Sequence, residues 1–336
     1  MENTDTVTAP FTLSHDAVTS QEAEAAIAGA IVAQDAVGII DVTGPGVVEC
    51  LQGVLTSDID GAGDGSFLYG ALLTNKGMIL CDMWTARHGS HAWLTIPIQG
   101  RDVLLEAFGH YLPPRLARAT DHTDNLVVLR IAGPQALSAA AHAGIGVPEP
   151  GVSGSTVVGG VACTVSRPPE PAHFGLQVQL EQESVSTVLD ALTRAGAVVS
   201  DTPALDLTRI LAGWPRLGAE IGEKTLPQEV RFDEHNGVSY TKGCYTGQET
   251  VARVHFRGHV NKQLTGLLWD GTPDPADPSI RQDDKDVGRV TSVAWLSPFE
   301  QHIGLGIVRQ QIDASRALTA GGAPAVIAPL PFELEP

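Results

Sequence analysis

The chain has 336 residues, 43% of them hydrophobic, enough for two or three domains with ordinary cores. Its 39 acidic side chains outnumber 21 basic ones, for a net charge of −18. That excludes broad electrostatic binding to nucleic acid or to an anionic membrane, since either needs a positive footprint; only a local basic patch would leave room for a tRNA contact.

Residues 1–12 are polar, contain Pro10 and read as a loose tail. The alanine-rich run 21–36 predicts a helix, with Ser20 as its capping candidate. Residues 37–42 predict a strand. Thr43-Gly44-Pro45 then opens an apolar-periodic helix to Leu55, since proline suits a first helical turn, where its missing N–H costs nothing. Gly61-Ala-Gly-Asp-Gly65 resembles a dinucleotide fingerprint, but no clear buried strand precedes it and it opens no helix, so it reads as a flexible loop. Residues 67–74, 78–85 and 91–96 read as strands, with turns at Asn75-Lys-Gly77 and His88-Gly-Ser90. The strand–Gly–Pro–helix unit recurs over 127–131, Gly133-Pro134 and 135–142. This predicts a duplication: two related α+β halves, each a sheet with helices on one face. Residues 146–156, rich in Gly, Pro and Ser, read as a linker or loop. An amphipathic helix spans 181–195 and stops at Gly196; Thr202-Pro203 starts another that ends at Gly213. Beyond Lys262, short strands at 263–269, 287–295 and 303–308, with a Pro/Asp-rich loop at 273–278, predict a small β-barrel of about 70 residues.

Four cysteines, at positions 50, 81, 163 and 244, form no C-x-x-C pair. Their spacing argues against a zinc quartet or a disulfide framework and for reduced thiols in a cytoplasm. The start, Met1-Glu-Asn-Thr-Asp, lacks a signal-peptide pattern, and no run approaches the roughly 18 apolar residues of a membrane helix.

One stretch reads as chemistry rather than architecture: Lys242-Gly243-Cys244-Tyr245-Thr246-Gly247-Gln248-Glu249. Its glycines let the backbone bend sharply and present N–H groups. A lysine two residues away favours the thiolate of Cys244, and Gln248 and Glu249 offer an amide and a carboxylate to a polar heterocycle. The structural alternative is a Gly-rich turn around a small buried cysteine. From Lys242 to Lys262, four cations (Lys242, Arg253, Arg257, Lys262) meet one carboxylate, Glu249. That is either an anion site or a solvated strand face. His255 and His259 share an H-x-x-x-H spacing. The apolar alternation ahead of Gly258 reads as a strand, however, and no third ligand accompanies them, which argues against a metal.

This eight-residue string resembles the K-G-C-Y-x-G-Q-E signature of the YgfZ-type folate-binding proteins, relatives of the glycine-cleavage T-protein. Arg209-Ile-Leu-Ala-Gly-Trp-Pro-Arg-Leu-Gly-Ala-Glu220 is similar to the family's R-x-x-x-G-x-P-x-x-G-x-E segment. Residues 223–229, Val251-Ala-Arg253, Arg257-Gly258, residues 51–58 and residues 69–82 extend the likeness over most of residues 13–310.

The resemblance implies an α+β fold. Two interleaved subdomains of ferredoxin-like type would span residues 13–260, and a small β-barrel would span 261–336. Together they would form a cloverleaf around a central channel that holds tetrahydrofolate or a polyglutamylated derivative. It further implies support for the assembly or repair of iron–sulfur clusters in client enzymes, and through them tRNA modification. The partners would be reduced folate and iron–sulfur client or assembly proteins; no membrane, no strong nucleic-acid binding and no permanent metal or cluster are expected. Cys244 would be the reactive group and Lys242 would set its electrostatics. Tyr69, Asp82, Gln177 and Trp214 would hold the folate from the first part of the chain. Gly243, Tyr245, Gly247, Gln248, Glu249, Arg253 and Arg257 would hold it from the signature region.

Two departures matter. The T-protein carries consecutive aspartates where this chain has Cys81-Asp82, and a pterin-holding glutamate where this chain has Gln177. Both weaken the alternative reading, a folate-dependent aminomethyltransferase, and leave folate binding in place. A third reading is a binding adaptor whose Cys244 merely packs. Trp214, beside Pro215, either stacks on a pterin or fills a core.

Overall fold

Ala36 alone separates two strands that belong to different sheets, and the architecture follows from that crossing. The computed structural model describes residues 18–169, 172–313 and 316–334; the predicted tail over residues 1–12 lies outside them. Helix α1 (Ser20–Ala28) leads into β1 (Ile31–Asp35) and β2 (Val37–Thr43). Thr19, not Ser20, caps α1, through a reciprocal capping box with Glu22. The helix predicted to run to residue 36 stops at Gly29. The buried, β-branched Ile31 and Val32 continue as strand, because side chains stiff at χ1 pack well on a pleated surface.

The first half continues with α2 (Val47–Val54), α3 (Ile59–Ala62), β3 (Phe67–Leu73), β4 (Ile79–His88), β5 (His91–Pro97), α4 (Arg101–Tyr111) and β6 (Arg118–Asp121). Its sheet is antiparallel, in the order β3-β4-β5-β2-β6. The second half contains β7 (Leu126–Ala132), α5 (Ala136–His142), β8 (Ser153–Val158), β9 (Val161–Ser166), β10 (Leu176–Glu181), α6 (Val185–Arg194), β11 (Val198–Val199) and α7 (Thr202–Ala212). Its sheet runs β11-β1-β7-β10-β9-β8, so β1 from the first half sits inside the second half's sheet and the halves interleave. Both Gly-Pro corners hold. Gly44 and Gly133 take φ of 144° and 95°, which L side chains rarely adopt, and each turns the chain from a strand into a helix.

The predicted loop at 146–156 is partly wrong, because β8 pairs with β9 as an edge hairpin. β8 is buried only at its two ends and its sequence is Ser/Thr-rich, so it carries a weak strand signal. The strand reading ahead of Gly258 is also corrected: residues Gln248–Arg257 form α8. Gly247 in the left-handed region opens it, and Val251 is buried beneath exposed Arg253, Phe256 and Arg257. His259 lies beyond that helix, while His255 is on it and pairs with Asp233 at 3.2 Å.

The C-terminal strands β12 (Lys262–Trp269), β13 (Ser279–Gln282), β14 (Lys285–Leu296), β15 (Gln301–Arg309), β16 (Leu318–Ala320) and β17 (Ala323–Ala328) close a barrel, three of whose strands were legible in advance. Residues of α2 and α4 pack in one core with β2, β4 and β5, and those of α5 and α6 pack in a second with β7, β9 and β10. A third core joins both sheets, α7 and the barrel around Tyr69, Trp84, Trp214 and Phe232. Among the described residues, no helix is long and apolar enough to cross a membrane.

Candidate functional site

Where the chain crosses at Ala36, the two sheets part and leave a cleft of about 210 Å³. Asp82 and Trp84 of β4 and Thr95 of β5 line one side. Arg130 of β7 and His173 line the other, and Arg209, Trp214 and Arg216 reach in from α7 and the turn that follows it. Tyr69 and Asp82 share a face of the first sheet, because Tyr69 lies opposite Trp84 and Asp82 two residues along. The Tyr69 hydroxyl donates to Asp82 Oδ2 at 3.0 Å. Arg130 Nε donates to Asp35 Oδ2 at 3.1 Å, and its guanidinium lies 3.9 Å from the centre of the Phe174 ring. Gln177, on β10, stands behind the wall: its Nε2 donates to Thr95 Oγ1 at 3.0 Å, joining the two sheets.

Buried polar atoms on the cleft, and one just behind its wall, are left unsatisfied. Asp82 Oδ1, Arg130 Nη1, His173 Nδ1 and Gln177 Oε1 have no hydrogen-bond partner among the described residues. Native folds pair nearly all such atoms, so a cluster of exceptions on one cleft marks a place where something polar binds. Burial, then the guanidinium groups of Arg130 and Arg209, hold the His173 pKa far below its usual value, which keeps the ring neutral. Burial pushes the Asp82 carboxyl up to about 6, against the opposing hydrogen bond from Tyr69.

That shift has a stability consequence. A raised carboxyl favours the fold below its unfolded pKa, near 3.8, and the contribution is lost as pH rises through about 6. Asp82→Asn should therefore be more stable than the parent above pH 7, by on the order of 2–3 kcal/mol, with the difference vanishing by pH 4. Urea unfolding across that range checks it; a variant less stable at pH 8 would contradict a strained carboxylate.

Cys81, the neighbour of Asp82, points the other way. It is buried in the core between the first sheet and its helices, and its thiol donates to the Asp82 carbonyl at 3.2 Å. Burial, then the Asp82 charge, raises its pKa well above the ordinary thiol value. So β4 presents one carboxylate to the cleft, not two. Trp214 is buried, with ring centres 4.7 Å from Tyr69, 5.6 Å from Trp84 and 3.9 Å from His235, so it fills a core and lends the cleft one edge.

The signature loop is elsewhere. None of Gly243, Tyr245, Gly247, Gln248, Glu249, Arg253 and Arg257 lines the cleft. Lys242 Nζ donates to the carbonyls of Leu55 and Ser57, at 2.8 and 2.7 Å, and sits 5.2 Å above the Tyr245 ring. Burial lowers its pKa to about 8. It thus anchors the loop to the end of α2 and has no bond to Cys244. Gln248 accepts from the Tyr245 N–H at 3.1 Å and closes the turn ahead of α8. Gly247, at φ 80°, lies so close to the β3–β4 turn that a Cβ there would stand 2.4 Å from the Thr74 carbonyl. These contacts hold Cys244 outward: it is exposed, whereas Cys50 is half-buried and Cys81 and Cys163 are buried. A cysteine that merely packs is excluded. Glu249, Arg253 and Arg257 are exposed on α8.

The structure thus gathers Tyr69, Asp82, Gln177 and Trp214 in or behind the cleft and places the other predicted residues on a separate loop and helix. Sequence reasoning missed Arg130, His173, Asp35 and Arg216. A signal existed for Arg130, a cation inside the apolar strand Val127-Val-Leu-Arg-Ile131. None existed for His173, whose place depends on the packing of the two halves.

Comparison with known proteins gives four matches. Residues 8–234 match the model of the GCVT N-terminal domain family. The chain is 31% identical over 230 residues to the tRNA-modifying protein YgfZ of Klebsiella pneumoniae, covering 68% of this chain and 67% of the relative. It is 30% identical over 228 residues to the protein of that name from Escherichia coli O157:H7, covering 68% of each. The fold is similar to that of the glycine cleavage system aminomethyltransferase T from Bartonella henselae, with TM-score 0.76, 18% identity and coverage of 93% of this chain and 89% of that one.

Proposed function

Because the chain belongs to the GCVT N-terminal domain family, and within it to the YgfZ group, we propose that it binds tetrahydrofolate in the inter-sheet cleft. We further propose that, in the cytoplasm, it supports assembly or repair of iron–sulfur clusters in client enzymes, some of which modify tRNA. The observation that carries the folate reading is the cluster of buried, unpartnered polar atoms at the cleft. A reduced pterin presents several N–H donors and a carbonyl on one fused ring system. Asp82 Oδ1 is the unpartnered acceptor on the cleft wall available for the donors, and Arg130 Nη1 is a donor for the carbonyl. The bound folate would supply nitrogen atoms able to carry a one-carbon unit. Asp82, braced by Tyr69, would fix the ring and stay charged against its N–H groups. Trp84 and Trp214 would exclude water from one side. The name of the relatives, tRNA-modifying protein, supports the downstream part of the reading. The single carboxylate on β4 favours binding over aminomethyl transfer.

Thermal unfolding tests this. A ligand that binds only the native state at a hundredfold excess over Kd adds about 2.7 kcal/mol, so tetrahydrofolate should raise Tm by several degrees. An unchanged Tm at saturating folate would overturn the proposal.

A further inference from the structure

We infer that a groove on the C-terminal barrel is a polycarboxylate subsite that takes the oligoglutamate tail of a folate whose head lies in the cleft; this rests on the folate reading above. The groove, of about 390 Å³, is lined by Lys262, Arg289, Arg309, Ser279 and Asp286. Its cations share one face by register. Lys262 of β12 lies directly opposite Arg309 of β15, and Arg289 of β14 lies opposite Ile307, two residues along the same strand. Side chains two apart point the same way, and like charges directly opposite destabilise a sheet unless something neutralises them.

Little among the described residues does so. Glu229 approaches Lys262 only to 3.7 Å. Asp286 uses its Oδ1 to accept from the Gly288 N–H, and Arg289 donates to the Ala219 carbonyl at 2.8 Å. Arg309 is exposed and has no ion pair among the described residues. A cationic groove on a chain of net charge −18 is therefore open to a small anion, while the remaining surface repels an extended one.

One tight turn of chain touches both the groove and the cleft. Ala219 belongs to the tight turn in which the N–H groups of Ala219, Glu220 and Ile221 all donate to the Arg216 carbonyl, and Arg216 lines the cleft. A ligand leaving the cleft beside Arg216 meets Arg289 one turn away, then Lys262 and Arg309. A chain of carboxylates tethered to a head in the cleft matches that track. Lys262 was grouped with Arg253 and Arg257 from sequence; the structure groups it with Arg289 and Arg309 instead.

The test measures the affinity of the full chain for mono- and triglutamyl tetrahydrofolate at low and high salt, for the parent and for a Lys262→Ala, Arg309→Ala double variant. The triglutamate should bind several-fold more tightly at low salt. That preference should fall to near unity at high salt and in the double variant, because exposed charge contacts are modest and screened. The double variant should keep the monoglutamate affinity, which also shows that it is folded. Equal affinities for the two forms in the parent at low salt would overturn the groove assignment alone. Failure of both forms to bind would overturn the folate reading and this assignment with it.

Discussion

Glu220→Ala should destabilise the protein by about 3–5 kcal/mol, the usual cost of leaving one partner of a buried ion pair uncompensated. Glu220 is 1% exposed and fully engaged. Its Oε2 accepts from Arg209 Nη1 at 3.1 Å and from the Arg216 N–H at 2.9 Å, and its Oε1 accepts from Ser292 Oγ at 2.7 Å. Arg209 in turn donates to Asp206 at 2.6 Å, to the Trp214 carbonyl at 2.9 Å and to Ser292 Oγ at 2.8 Å. Ser292 is on β14, so this network clamps α7, the turn carrying Trp214 and the barrel into one unit. Alanine at position 220 would leave two cations, Arg216 and a guanidinium of Arg209 that is itself 5% exposed, sharing the one carboxylate of Asp206. Urea unfolding reads the loss. A cost below 1 kcal/mol would mean that water enters and solvates Arg209, and the clamp would not hold the cleft.

Cys244→Ser should abolish the ability of the protein to restore iron–sulfur enzyme activity in a deletion strain, while leaving Tm and folate affinity at parental values. Serine keeps the size of the side chain and loses nearly all nucleophilicity and soft-metal affinity at neutral pH. Cys244 is exposed, so its replacement removes no packing. The other thiols are poor competitors. Burial raises the pKa of Cys50, with Glu49 adding to it, and burial alone raises that of Cys163. Alkylation should therefore be fast at Cys244 and slow at the other three. Lys242 enters indirectly, since its ammonium holds the Leu55 and Ser57 carbonyls and so fixes where the loop sits. Full rescue by the serine variant would remove chemistry from Cys244.

The α+β class, the barrel and both Gly-Pro corners were readable because each rests on local chemistry: periodicity, proline just ahead of a helix and glycine at positive φ. The motif around Arg209 and Glu220 was also visible, but only as a likeness. Its physical content, a buried clamp to Ser292 some 70 residues on, needed the fold. The strand drawn over α8 failed because only Val254 and Phe256 alternate with a period of 2, whereas Val251 and Val254, three apart, carry the helical spacing. The candidate site was half legible. Asp82 and Trp214 do reach one cleft with Tyr69 and Gln177 behind it, yet the cysteine signature was expected at the same place and stands apart from it. Nothing local in a sequence says which of two faces of β3 a distant loop will cover.

Calorimetric titration with tetrahydrofolate, run in parallel on the parent, Asp82→Ala and Cys244→Ser, tests most directly whether the cleft is the folate site. The proposal predicts one site in the parent, unchanged in Cys244→Ser, and weakened at least tenfold in Asp82→Ala, since a lost charge-assisted hydrogen bond is worth about 1.5–3 kcal/mol. Binding that survives in Asp82→Ala and disappears in Cys244→Ser would place the ligand at the signature loop and contradict it.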